Sequence, residues 1–146
     1  KLSARLMDLP ASGNGRRESY RSLPIPRMRI TRMKGGDDDP QALIRAVKRG
    51  LYAVTFGGGS VDISKGDYNF EVTEAYLIED GRVTRPVRGA TLVGNGPQTL
   101  ERVVAVAGDE RLDLNAGTCG KDGQGAPVSF GTPTFTVSEL VVGGEA

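Results

Sequence analysis

Histidine and tryptophan are absent from this chain, cysteine occurs once, and aromatic residues make up only 5% of it. Without histidine there is no Ser/His/Asp or Cys/His arrangement, and a lone thiol with no base beside it is a poor nucleophile at neutral pH. A zinc site needs roughly three or four nitrogen, sulfur or carboxylate ligands, so one cysteine does not make one by itself. The acidic residues are spread over turns and offer no paired-carboxylate set. The single Cys119 also excludes an internal disulfide and is compatible with a reducing cytoplasm. No apolar run approaches the length of about 20 residues that a membrane-spanning helix needs, and no signal peptide is visible.

What is present is glycine, 21 residues of it in a chain of 146. Abundant glycine without tryptophan favours a turn-rich, strand-rich fold over a helical bundle, and the length suits one domain. The chain opens at Lys1, as a processed, recombinant or partial chain would. The net charge of +1 is unevenly spread. Residues 1–34 hold nine Lys/Arg against Asp8 and Glu18, a surplus of +7, and the remainder carries −6. The basic residues are scattered among Pro, Ser and Leu with only Tyr20 as an aromatic and no basic helix. That pattern argues against nucleic-acid binding and for a solvated arm, or one that docks on an acidic surface.

Residues 1–26 read as an extended arm or loop, because Pro10, Gly13, Gly15, Pro24 and Pro26 interrupt helices and central strands. Residues 27–146 read as an α+β core. Arg27–Met33 is expected to be a strand with Met28, Ile30 and Arg32 on one face. Asp37-Asp38-Asp39-Pro40 is a helix start, with Asp39 as cap and Pro40 at the first helical position. Leu43, Ile44 and Val47 form its stripe and Gly50 closes it. The three aspartates fit this cap better than a metal site.

Leu51–Phe56, Val61–Ile63 and the stretch from Tyr68 to Leu77 read as strands. The last shifts phase at Thr73-Glu74, the mark of a bulge. Asp80-Gly81 is a hairpin turn, and Pro86 keeps the following strand from being central. A second helix is expected after Asn95-Gly96-Pro97, because Leu100, Val103, Val104 and Ala107 recur at i, i+3, i+4 and i+7. Val128, Phe130, Phe135, Val137 and Leu140–Val142 are β again. The fold class expected is α+β: mostly antiparallel β-sheet with two short helices and long Gly-rich loops.

Several runs carry a resemblance: Ser12-Gly13-Asn14-Gly15-Arg16-Arg17-Glu18-Ser19-Tyr20, Leu23-Pro24 with Pro26-Arg27-Met28, Tyr52 through Phe56-Gly57-Gly58-Gly59 and Val61-Asp62-Ile63. Further along come Glu74 to Glu79, Pro86 to Leu92, Cys119-Gly120-Lys121-Asp122-Gly123-Gln124, Gly131 to Thr134, and Val142-Gly143-Gly144. Together they resemble the TldD/PmbA family over nearly the whole chain.

The resemblance implies a cytoplasmic zinc-dependent peptidase that trims unfolded or modified peptides, paired with a TldE/PmbA-like subunit or with a second copy. An older label for the family is modulator of DNA gyrase, and a non-catalytic partner subunit or gyrase modulator is the alternative. The family's metal site combines a His-Glu-x-x-x-His helix with one distant cysteine, and Cys119 falls at that cysteine's position. With no histidine here, the resemblance implies a C-terminal domain lacking the N-terminal domain and the metal helix. It is then expected to hold no catalytic residue and no zinc by itself. Gly57-Gly58-Gly59 lacks the Lys-Ser/Thr of a phosphate loop. It is a candidate for a tight turn or, with Gly13, Asn14, Gly15 and Gly120, for a backbone edge that holds an extended peptide. Lys121 is a candidate for lowering the thiol pKa.

Overall fold

The structure, a computed structural model, describes residues 5–10 and 13–144, so residues 1–4 and 11–12 of the expected arm lie outside it. In chain order the elements are β1 (Gly15–Arg16), β2 (Ile25–Pro26), β3 (Ile30–Arg32), α1 (Pro40–Ala46), β4 (Arg49–Val61), β5 (Asp67–Glu79), β6 (Arg82–Val87), β7 (Ala90–Asn95), α2 (Gly96–Glu101), β8 (Val103–Val106), β9 (Arg111–Lys121), β10 (Gln124–Thr132), β11 (Phe135–Val137) and β12 (Val141–Gly143). The α+β class, mostly antiparallel strands with the short helices α1 and α2 among the described residues, is as the sequence predicts. No helix among the described residues is long and apolar enough to cross a membrane.

The chain divides into two compact units, residues 1–34 with 111–132 and residues 35–110 with 133–146. In the first, β9 and β10 form a hairpin closed by Asp122-Gly123, whose φ angles of 51° and 70° are those of a two-residue turn matched to strand twist. β3 runs parallel along β10, with Ser129 opposite Ile30, and β1 pairs antiparallel with β2. The unit's buried hydrophobic residues are Ala126 and Val128, and Arg27 is buried with them at 7% exposure.

In the second unit the sheet order is β12-β7-β5-β4, with β6 also on β5. Val72, Ala75 and Ala90 form its core, and Leu51, Ala53, Val87 and Leu92 pack against them. The phase shift read at Thr73-Glu74 is present. Phe56 pairs with Val72 and Thr55 with Glu74, so Thr73 is the extra residue on β5. Asp39 caps α1, accepting from the backbone N–H groups of Gln41 and Ala42, and Leu43 and Ile44 are buried. Asp80-Gly81 makes the expected hairpin turn.

Five expectations need correction. The second helix stops at Glu101. Val103–Val106 is instead a strand paired with β11, Phe135 lying opposite Val106, and Leu100 and Val104 are more than 60% exposed. A run of β-branched residues satisfies strand pairing as readily as helical periodicity, and here the pairing wins. Gly50 does not close α1. The chain leaves helical geometry at Val47, and Gly50 lies inside β4.

The expected strand 27–33 shrinks to Ile30–Arg32, with Met28 and Ile30 exposed, because Arg27 turns into the unit. Gly57-Gly58-Gly59 does not make a turn. It continues β4 to Val61, where an added Cβ on Gly59 would run into the Phe70 ring and the Asn69 carbonyl. Beyond Val61 the alternation ends: Asp62 accepts from Ser64 and Lys65 in a turn, and Ile63 is exposed.

Candidate functional site

Cys119 lies in β9, opposite Ala126 of β10 and three residues ahead of the Asp122-Gly123 turn. It is a strand residue beside a turn, half-buried and with a free thiol. The segment 14–28 is bound to this hairpin by donors from both sides. Arg16 donates to the carbonyls of Met28 and Pro127, both at 2.7 Å. Lys121 Nζ donates to the Pro26 carbonyl at 3.1 Å, and Arg27 N–H donates to Asn14 O at 3.0 Å. Glu18 and Gln124 clasp reciprocally. Glu18 N–H donates to Gln124 Oε1, Gly125 N–H donates to Glu18 Oε1, and Gln124 Nε2 donates to Leu23 O. The Arg27 guanidinium donates through Nη2 to the carbonyls of Cys119 and Gln124.

The thiol sits among positive partial and full charges. The backbone N–H of Met28 donates to it, the Arg27 guanidinium lies beside it, and Lys121 adds a weaker attraction; together they hold its pKa below the usual value against the opposing effect of burial. The sequence pointed to Lys121 as the cation that lowers the thiol pKa, but Met28 and Arg27 do more. In the metal-free chain, alkylation of Cys119 by iodoacetamide is therefore expected to show a pH midpoint below that of free cysteine. The same donors give the folded state stability that is complete above the unfolded thiol's pKa and fades as pH falls through the lowered one. An alkylation midpoint at or above the free-cysteine value contradicts this account of the site.

Zinc takes a thiolate as a ligand, so a thiol held toward its anion fits one ligand position. Among the described residues no group of three or more His, Cys, Asp or Glu is placed to hold a metal ion, so Cys119 is a single donor here. Of the other candidate residues, Gly13, Asn14, Gly15 and Gly120 belong to the same unit as Cys119, and Gly57, Gly58 and Gly59 to the other. A Cβ on Gly13, Gly58 or Gly120 would meet nothing within 4 Å. β4, which carries Gly57–Gly59, is an edge strand paired only with β5 among the described residues. Sequence reasoning gave no role to Gln124 or to the Arg27 side chain. The only signal was their place inside the runs that carried the resemblance.

The sequence pattern of the PmbA/TldA metallopeptidase C-terminal domain matches residues 1–144. The chain is 50% identical over 144 residues to the Metalloprotease TldD homolog of Haemophilus influenzae, covering 99% of this chain and 30% of that protein. It is 36% identical over 135 residues to the Zinc metalloprotease TldD homolog of Saccharolobus solfataricus, covering 92% and 30%. The crystal structure of TldE from Thermococcus kodakarensis shares the fold, with a TM-score of 0.76 at 18% identity, over 97% of this chain and 29% of that one.

The chain belongs to the PmbA/TldA metallopeptidase family, and the part of the family it matches is the C-terminal domain. It spans about 30% of the length of these relatives.

Proposed function

We propose that this chain is the C-terminal domain of a zinc-dependent cytoplasmic peptidase acting on unfolded or modified peptides, and that Cys119 is its contribution to the metal site. The observation that carries this reading is the match of residues 1–144 to the metallopeptidase family's C-terminal domain, and the Met28 N–H and Arg27 guanidinium beside the Cys119 thiol favour that residue as the ligand. The name of the Saccharolobus relative supports zinc as the metal. Cys119 would hold the ion together with ligands from outside this chain, and zinc, when bound, supplies Lewis-acid chemistry for amide hydrolysis. The chain's own residues orient the thiolate and offer backbone to the substrate.

The edge strand β4, with the side-chain-free stretch Gly57–Gly59, is suited to accept an extended peptide as an added strand. Gly13, Asn14, Gly15 and Gly120, in the unit that carries Cys119, are the remaining candidates for backbone contacts to the substrate. The partner subunit is TldE/PmbA-like or a second copy, as the sequence resemblance implies.

The test compares the full-length protein with the 146-residue chain alone. The expected result is close to one zinc per chain and metal-dependent peptide turnover in the full-length protein, and neither in the isolated chain. A full-length protein that purifies without zinc and does not take it up overturns the metallopeptidase reading. Metal-dependent turnover by the isolated chain overturns the division of the site.

A further inference from the structure

Arg27 is the charged residue buried among the described residues, and most of its guanidinium has no visible task. It is 7% exposed. Nη2 donates to the carbonyls of Cys119 and Gln124, one on each strand of the hairpin. Nε and Nη1 are shielded from solvent and have no hydrogen-bond partner. Burying a cation with two unmet donors is costly unless an anion completes the arrangement.

Tying two carbonyls together does not require that cost. Arg16 and Lys121 tie the same segment to the same hairpin without being buried. Nor is Glu18 the missing anion, since its carboxylate accepts from Gly125 N–H and no ion pair joins it to Arg27. The guanidinium lies beside the Cys119 thiol.

We infer that Arg27 is a positioning residue for Cys119: it locks the Cys119 peptide unit through the carbonyl and sets a fixed positive charge beside the sulfur, so that the ligand's direction is determined before metal arrives. This rests on the reading of Cys119 as a metal ligand. It gives the buried charge and the double carbonyl contact one common purpose. Residues that orient a ligand from behind typically change metal affinity about 10–100-fold when replaced.

The experiment measures zinc release from the full-length protein to a colorimetric chelator, alongside thermal melting. Arg27→Gln keeps donors for the carbonyls and removes the charge, and release is expected to accelerate about 10–100-fold. Arg27→Lys restores the charge and is expected to recover part of the loss. Gly81→Ala, in the other unit, is the control for lost stability. It should melt earlier and release zinc at the parental rate.

Parental release from Arg27→Gln overturns the inference and leaves the ligand reading intact. So does equal acceleration in Gly81→Ala, which would make release a matter of stability alone. Should Arg27→Gln not fold, Arg27→Lys decides: release faster than the parent and not shared by Gly81→Ala supports the role, and parental release overturns it. A parental protein without zinc, or a Cys119→Ser variant that keeps it, removes the ligand reading and this inference with it.

Discussion

Serine at position 119 is expected to strip zinc from the full-length protein while leaving the hairpin that carries it folded. The exchange replaces sulfur by oxygen at a half-buried strand position and alters no backbone geometry. Met28 N–H and the Arg27 guanidinium, which lie against the sulfur, find an acceptor in the hydroxyl as well. The stability change should therefore stay within about 1 kcal/mol.

For the metal the exchange is drastic, because a serine hydroxyl does not ionise near neutral pH and supplies neither the charge nor the softness of a thiolate. Loss of a direct ligand should exceed the roughly 10–100-fold penalty that supporting residues carry, and peptide turnover should fall to background. Metal analysis after a chelator wash, with a melting curve on the same sample, checks both halves. Zinc retained at the parental level would show that Cys119 is not a ligand. Zinc lost together with a collapsed melting transition would assign it a structural role.

Features legible in the sequence were those whose cause lies within a few residues. Asp39-Pro40 announces α1 because cap and first turn are adjacent, and Asp80-Gly81 announces a hairpin because two positive φ angles demand such residues. The bulge at Thr73 shows as a broken alternation in one strand. Val103–Val106 was not legible. Its partner β11 begins at Phe135, and a pairing across that separation leaves no local mark on a segment that also fits a helical stripe.

Gly57–Gly59 offered a tight turn or a backbone edge and proved to be strand, in which Gly59 lies opposite Phe70 with no room for a side chain. The site divides in the same way. Cys119 stands out by elimination and by resemblance. Arg27 does not, because its meaning comes from carbonyls 92 and 97 residues away.

Alanine at Gly81 is expected to lower stability by about 2–4 kcal/mol, among the larger effects a single methyl group can have here. Gly81 has φ of +74°, where an L-residue pays for its Cβ, and that alone costs about 1–2 kcal/mol. The new Cβ would also lie 2.6 Å from the Arg45 carbonyl oxygen and 3.1 Å from Arg45 Cα, in the last turn of α1. Both are backbone atoms, so no rotamer change relieves the overlap.

Nor can the turn swing away freely. Gly81 N–H donates to Val47 O at 2.9 Å and Asp80 N–H to Lys48 O at 2.8 Å, bonds that satisfy carbonyls just beyond the helix end. At roughly 2–4 °C per kcal/mol for a chain of this size, the melting temperature should fall by about 5–15 °C. Gly89 provides the matched comparison. Its φ is +69°, and nothing lies within 4 Å of an added Cβ, so Gly89→Ala should carry only the conformational part. The gap between the two melting temperatures measures how firmly the β5–β6 turn is seated on α1. Equal melting temperatures would mean that the turn moves off the helix without cost.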